Sequence, residues 1–254
     1  MFTQCDLVPP SVFSECHGRT SGAGRDESGA ENGKEHGSLS PTMDAMDSDL
    51  YRDILDFGHA TPSWFQHVME AWTEVGLLLF AVLFILAWWR ARRGDPRALA
   101  ISVLAPLGTG VAYVISEILK SFIVEERPCR AVSRAATSLI DCPANGDWSF
   151  PSNHATIAAA GAIGLALAWH KIGWLTVPMA LLMAFSRVFV GVHYPHDVAV
   201  GLLLGALVVF LCVRLGARPG AAVAESMRRS SVGLFVWFAG PGERRGAHAA
   251  PINR

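Results

Sequence analysis

Between positions 120 and 197 the chain sets out eight polar residues at spacings that suit chemistry on an anion. Lys120 is followed after six residues by Arg127 and Pro128, and Pro151, Ser152, Asn153 and His154 are consecutive. Arg187 is followed after five residues by His193, and after three more by Asp197. Two arginines and a lysine supply binding and charge stabilisation. Two histidines and an aspartate supply a covalent or acid–base step. The five cysteines (Cys5, Cys16, Cys129, Cys142, Cys212) include no CxxC pair and are too scattered for a disulfide scaffold. A formal net charge of −1 gives no reason to expect a nucleic-acid partner.

What must position these residues is a set of apolar helices. Hydrophobic residues make up 51% of the 254 and charged residues only 17%, less charge than a soluble domain carries. Charge-free runs occupy residues 75–89, 98–116, 155–169, 172–186 and 198–213. Each lies between the ~10–14 residues of a buried soluble helix and the ~20 a membrane span needs, but they follow one another with little between and their cytoplasmic ends would be basic. Residues 49–57 form an amphipathic segment, with Leu50, Ile54 and Leu55 along one face, suited to a helix lying at the membrane interface. The expected fold is therefore all-α: an integral membrane helical bundle of five transmembrane helices plus an N-terminal interfacial helix.

Three regions follow from composition. Residues 1–47 are rich in Gly, Ser, Glu and Asp and read as a disordered tail, with no signal peptide. Translation starts at Met1, Met43 or Met46. Residues 48–216 form the membrane domain, and 217–254 a mostly irregular C-terminal tail. Within that tail the semi-apolar stretch 232–238 is suited to the inner surface.

Basic residues set the orientation. With the first span starting outside, Arg90, Arg92, Arg93, Arg97, His170, Lys171, Arg214, Arg218, Arg228 and Arg229 all fall on the cytoplasmic side. The loop 124–151 is then outside, as are the N-terminal tail and the helix ends carrying the eight polar residues. Ionisable groups at membrane depth are costly, so their gathering on one face implies a task.

The stretches Lys120-x6-Arg127-Pro128, Pro151-Ser152-Asn153-His154 and Ser186-Arg187-x5-His193-x3-Asp197 resemble, in order and spacing, the three motifs of the type 2 phosphatidic acid phosphatases. The resemblance extends over roughly residues 49–216. One position departs from the commonest pattern: Asn153 stands where glycine is usual. Bacterial members acting on undecaprenyl diphosphate often carry a polar residue there.

The resemblance implies roles. His193 is the nucleophile, with Asp197 holding its Nδ1 proton. His154 is the general acid, then the base that activates water. Lys120, Arg127 and Arg187 hold nonbridging oxygens, the arginines through a planar fork of donors. Ser152 and Asn153 sit where a helix N-terminus favours bound phosphate, and Ser152 suits an N-cap as well. With three cations and no metal-ligand cluster in the sequence, no metal or cofactor is expected, and the family is likewise metal-independent. Glu117 lies one turn before Lys120 and is expected to pair with it. Glu74 suits either a substrate headgroup contact or an interface marker. His196 reads as a surface residue and Cys212 as a small packing residue. Cys129 and Cys142, both in the outer loop, are expected to form a disulfide in an oxidising exterior.

The leading expectation is a plasma-membrane phosphatase facing the extracytoplasmic side, with its C-terminus in the cytoplasm. It would convert undecaprenyl or decaprenyl diphosphate to the monophosphate through a phosphohistidine. A phosphatidate or phosphatidylglycerophosphate phosphatase is the alternative within this chemistry. A transporter fits less well, because the ionisable residues do not line a path through the midplane. A soluble haloperoxidase conflicts with the apolar spans. Lipid substrate and bilayer are the expected partners, and oligomeric state is left open.

Overall fold

Several helices begin where the chain supplies a proline or a capping side chain. The computed structural model describes residues 41–241, and every regular element in that range is helical. Helix α1 spans Pro41–Ala60 and α2 spans Ser63–Ala91. Helix α3 (Pro96–Phe122) is capped by Asp95, whose carboxylate accepts from Ala98 N at 2.7 Å, with Pro96 in the first turn. After a long loop carrying the single-turn α4 (Pro128–Ala131) come α5 (Asn153–Ala168), a short 3₁₀ turn and α6 (Gly173–Phe189). Helix α7 (Pro195–Arg229) again opens on a proline, and α8 spans Gly233–Ala239. Four stretches are long and apolar enough to cross a membrane: α2, α3, α7 and His170–Phe189, which joins the 3₁₀ turn to α6. Helix α5 is apolar but only 16 residues long.

Helix α5 is the centre, because its side chains are small. Ala155, Ala158, Ala159, Ala160, Gly161, Ala162 and Gly164 are buried, and α3, α6 and α7 pack around them. Small residues let helix backbones approach closely where lipid supplies no hydrophobic drive for association. The closest approach is at Gly201 and Gly205 of α7. A Cβ at Gly201 would lie 2.7 Å from the Ser152 carbonyl oxygen, and one at Gly205 would collide with that of Thr156. The N-terminal turn of α5 is thereby pressed against the first turns of α7. Large apolar side chains such as Leu78, Val82 and Ile85 on α2, and Leu203, Leu207 and Leu211 on α7, are exposed. That is the arrangement of a bundle that faces lipid.

The two ends of the bundle differ. At one end Arg90 lies 5.2 Å from the ring of Trp169 and Arg92 lies 5.0 Å from that of Trp237, so the α2–α3 turn, the α5–α6 turn and α8 meet there. The other end carries α1, the loop 123–152 and the α6–α7 turn.

Three expectations change. The chain after residue 216, expected to be mostly irregular, is helical to Arg229 and again over Gly233–Ala239. Ala217 and Ala224 are buried, and a Cβ at Gly220 would touch Ala100 of α3. The small residues that look unstructured in sequence form a packing face. Residues 41–47, placed in the disordered tail, begin α1, and the rest of that tail lies outside the described residues. The face of α1 also differs: Tyr51 and Leu55 are fully buried, whereas Leu50 is exposed. Tyr51 anchors that face by donating to the Gly191 carbonyl at 3.0 Å.

Candidate active site

The site is built on the turn between α6 and α7. Gly191 takes a positive φ of 86°, and a Cβ there would press on Ser138 and Leu55, so glycine serves both backbone and space. Leu139 N donates to the Val190 carbonyl at 3.0 Å, tying the long loop to this turn. His193 follows, 1% exposed, and Pro195 starts α7. Asp197, three residues after the N-cap Tyr194, accepts the Tyr194 backbone N–H at 2.8 Å through Oδ2. The same Oδ2 accepts from His193 Nδ1 at 3.2 Å and from the Ser149 hydroxyl. One helix-capping carboxylate therefore also orients the imidazole.

These bonds determine which nitrogen of His193 is free to react. Burial pushes its pKa down to about 4, with Arg127 and Arg187 acting in the same direction and Asp197 opposing. The ring is neutral at ordinary pH. Its Nδ1 proton points at Asp197, and its Nε2 lone pair accepts from Arg127 Nη1 at 3.2 Å. This is the tautomer a nucleophile at Nε2 needs.

Arg127 contacts that nitrogen, Arg187 also acts on the ring, and Lys120 is joined to Arg127 through Asp147. Arg127 is buried; it also donates from Nη1 to the Val192 carbonyl at 3.0 Å and from Nε to the Asp147 carbonyl at 2.8 Å. The Asp147 carboxylate, 48% exposed, bridges Lys120 Nζ at 3.1 Å and Arg127 Nη2 at 3.0 Å. Burial acts to raise the Asp147 pKa, but the charges of Arg127 and Lys120 outweigh it and hold the carboxyl below its usual range. Arg187 donates from Nη1 to Thr73 Oγ1 of α2 at 2.8 Å. Its Nε, like Ser152 Oγ at the head of α5, is buried without a hydrogen-bond partner among the described residues. His154 stands in the field of Arg187, His193, Lys120 and Arg127. Beside Lys120 lies a cavity of about 340 Å³ lined by Glu117, Lys120, Ser121, Gly146, Asp147 and Trp148. Cys129 and Cys142 are joined, with Cα atoms 6.1 Å apart, directly after Arg127–Pro128.

The model of the PAP2 superfamily matches residues 101–220, which contain all eight polar residues and the turn that joins His193 to Asp197. Undecaprenyl-diphosphatase BcrC of Bacillus subtilis is 31% identical over 170 residues, covering 66% of this chain and 83% of that protein. The chain belongs to the PAP2 superfamily. An undecaprenyl-diphosphatase of Sulfolobus acidocaldarius is 38% identical over 135 residues, which span 53% of this chain and 64% of that relative. Decaprenylphosphoryl-5-phosphoribose phosphatase of Mycobacterium tuberculosis is 37% identical over 136 residues, 53% of this chain and 68% of its own length. In fold, the chain is similar to a transmembrane PAP2-type phosphatidylglycerolphosphate phosphatase from Bacillus subtilis. The TM-score is 0.53 at 22% identity, over 69% of this chain and 87% of that one. With its apolar helices, the chain is a membrane protein of this superfamily.

Of the PAP2 residues picked out by spacing, His193, Asp197, Arg127, Lys120, Arg187 and His154 come together at one end of the bundle. Ser152 lies at the start of α5 but makes no side-chain cap. Asn153 is engaged elsewhere: its Oδ1 accepts from Ser116 at 2.6 Å and its Nδ2 donates to Glu117, bracing α5 against α3. Two expectations are corrected. Glu117 pairs with Asn153 and not with Lys120, whose partner is Asp147. His196 is no surface residue. It is 28% exposed, between Asp47 and Glu125, with Asp197 Oδ1 3.2 Å from its Nε2. Glu125, His196 and Asp197 each bring a ligand-type atom within 4.8 Å of the others, a grouping that linear spacing conceals. Ser149, Thr73 and Asp147 were not singled out at all, because their partners lie far away in sequence.

Proposed function

We propose that this chain is a membrane lipid phosphatase that hydrolyses a polyprenyl diphosphate to the monophosphate through a phosphohistidine intermediate. The observation that carries the reading is the buried His193–Asp197 pair, whose Nε2 accepts from Arg127, with Arg187 also acting on the ring and Lys120 joined to Arg127 through Asp147. The polyprenyl class rests on the relatives named for undecaprenyl diphosphate and decaprenylphosphoryl phosphoribose.

In the first half-reaction His193 Nε2 attacks the terminal phosphorus. The N–P bond forms as the bridging P–O bond breaks, and His154 gives its proton to the departing lipid phosphate oxygen. Lys120, Arg127 and Arg187 stabilise the equatorial oxygens, competing successfully with Asp147 for the first two. The N–H groups opening α5 and the Ser152 hydroxyl add donors at a helix N-terminus, and this is where Asn153 contributes, through its backbone. Asp197 offsets the positive charge that develops on the imidazole. In the second half-reaction neutral His154 takes a proton from water, the new O–P bond forms and the N–P bond breaks. Inorganic phosphate leaves, and both histidines are restored.

The proposed topology has five crossings, with α5 as the short fifth inside the other four, and α1 at the interface. The basic α2–α3 turn and the C-terminus face the cytoplasm, and the site faces outside. Purified protein assayed on undecaprenyl diphosphate, decaprenylphosphoryl phosphoribose, phosphatidate and phosphatidylglycerophosphate tests the substrate reading. A clear preference for either glycerolipid would overturn it.

A further inference from the structure

His196 has no role in the chemistry above, yet three carboxylates converge on its ring. Its backbone N–H donates to Asp47 Oδ1 at 3.2 Å, and its Nδ1 lies 2.8 Å from Asp47 Oδ2. Its Nε2 lies 3.1 Å from Glu125 Oε1 and 3.2 Å from Asp197 Oδ1. A carboxylate can only accept, so both ring nitrogens must carry protons and the ring is an imidazolium. The rings of Tyr194 and Phe150 stack on either side, with centroids 5.4 and 5.7 Å away. Asp47 comes from α1, Glu125 from the loop before Arg127, and Asp197 from α7. Asp197 Oδ1 is fully buried and is offered no hydrogen bond by any described residue, so the His196 ring meets it as a charge.

We propose that His196 is a positioning residue. Held as an imidazolium by Asp47 and Glu125, it fixes Asp197 Oδ1 electrostatically, so that Oδ2 stays on His193 Nδ1. A partial turn of the Asp197 carboxylate about its terminal bond would swing the accepting oxygen off His193, Tyr194 N–H and Ser149, and a fixed positive charge at the other oxygen opposes that turn. The clamp also makes α1 part of the active-site support: Asp47 at one end and the Tyr51–Gly191 bond at the other hold α1 across the nucleophile turn. This rests on the assignment of His193 as nucleophile and Asp197 as its orienting carboxylate.

The test compares the full-length protein with His196→Gln, Asp47→Asn and the double variant in detergent micelles, with His193→Ala in parallel. Glutamine can donate from one nitrogen only and carries no charge. Loss of a group that orients a catalytic residue costs about tenfold to a hundredfold, so kcat of His196→Gln should fall by at least about tenfold. KM should stay within about twofold, because the phosphate-binding cations are untouched. The native chain should lose kcat toward alkaline pH as the imidazolium gives up its proton, and His196→Gln should lack that limb. Asp47→Asn should fall in the same direction, and the double variant should be no worse than His196→Gln alone. A native kcat and pH profile in His196→Gln would overturn the proposal, as would additive losses. Activity abolished by a chelator and restored by a divalent cation would also overturn it, by making Nε2 a metal ligand. If His196→Gln does not fold, Asp47→Asn decides: an unchanged kcat and alkaline limb would refute the clamp. Turnover by His193→Ala would instead remove the nucleophile assignment beneath it.

Discussion

Replacing Asp197 with asparagine changes one atom and should nearly silence the enzyme. The carboxylate is fully buried and accepts through Oδ2 from His193 Nδ1 at 3.2 Å, Tyr194 N at 2.8 Å and Ser149 Oγ. An asparagine keeps one oxygen and presents an NH₂ on the other side. If that NH₂ faces His193, the imidazole proton moves to Nε2 and the attacking lone pair is lost. If the oxygen faces His193, the tautomer survives but the negative charge is gone. A unit charge 3.2 Å from the developing imidazolium contributes about 5 kcal/mol at an effective dielectric constant of about 20. That corresponds to a rate loss of about 10³- to 10⁴-fold, similar to the effect of the same substitution in a serine-protease triad. Substrate binding should persist, since Lys120, Arg127 and Arg187 are unchanged. The assay is kcat and KM on a polyprenyl diphosphate, with a single-turnover measurement of phosphoenzyme formation. Circular dichroism and thermal unfolding would show that the fold is retained. A folded Asp197→Asn variant that loses less than about tenfold in kcat would refute the nucleophile–orienter reasoning.

The depressed pKa of His193, about 4, gives two signed expectations. Phosphoenzyme formation from an activated phosphate ester that needs no acid should persist down to about pH 5 and not fall near the ordinary histidine value of about 6.5. Because unfolding raises the pKa of this group, its stabilising contribution is complete above about pH 6.5 and is lost as pH falls toward 4, a slope that His193→Gln should lack. Gly205→Val should separate α7 from α5 at Thr156 and destabilise the bundle by about 1–3 kcal/mol. Gly110→Ala, with open space around it in the interior of α3, should not lower the temperature of thermal unfolding in detergent and should raise it slightly. Reducing the Cys129–Cys142 bond, which spans a sequence separation of 13, should cost about 3 kcal/mol and raise KM as the loop carrying Arg127 loosens. An unaltered melting temperature and KM after verified reduction would contradict this.

The candidate constellation was legible in the sequence because its members sit at helix ends with fixed local spacing. His193 and Asp197 flank a proline that must start a helix, and Ser152 to His154 open the run of small residues that becomes α5. The supporting contacts were not legible, since they join distant positions. Thr73 is 114 residues from Arg187, and Ser149 is 48 from Asp197. No periodicity marks such pairs. Glu117 illustrates the same limit: its i, i+3 relation to Lys120 is a real helical neighbourhood, but the Asn153 amide and the Asp147 carboxylate offered each of them a better partner. The end of α7 was misjudged for the opposite reason. Local propensity around Pro219 and Gly220 argues against a helix, whereas packing of small residues on α3 favours one, and tertiary contact prevailed. By spacing His196 falls outside the motif and reads as a surface residue, and only the fold brings Asp47 and Glu125 to it.

Protein mixed with substrate, quenched under alkaline conditions and digested should yield one acid-labile phosphoryl group on the peptide that contains His193. The label should vanish in His193→Ala and build up in His154→Ala when the substrate has a leaving group that needs no proton. Phosphate found on another residue, or full turnover with no phosphoenzyme formed at any time, would contradict the covalent mechanism.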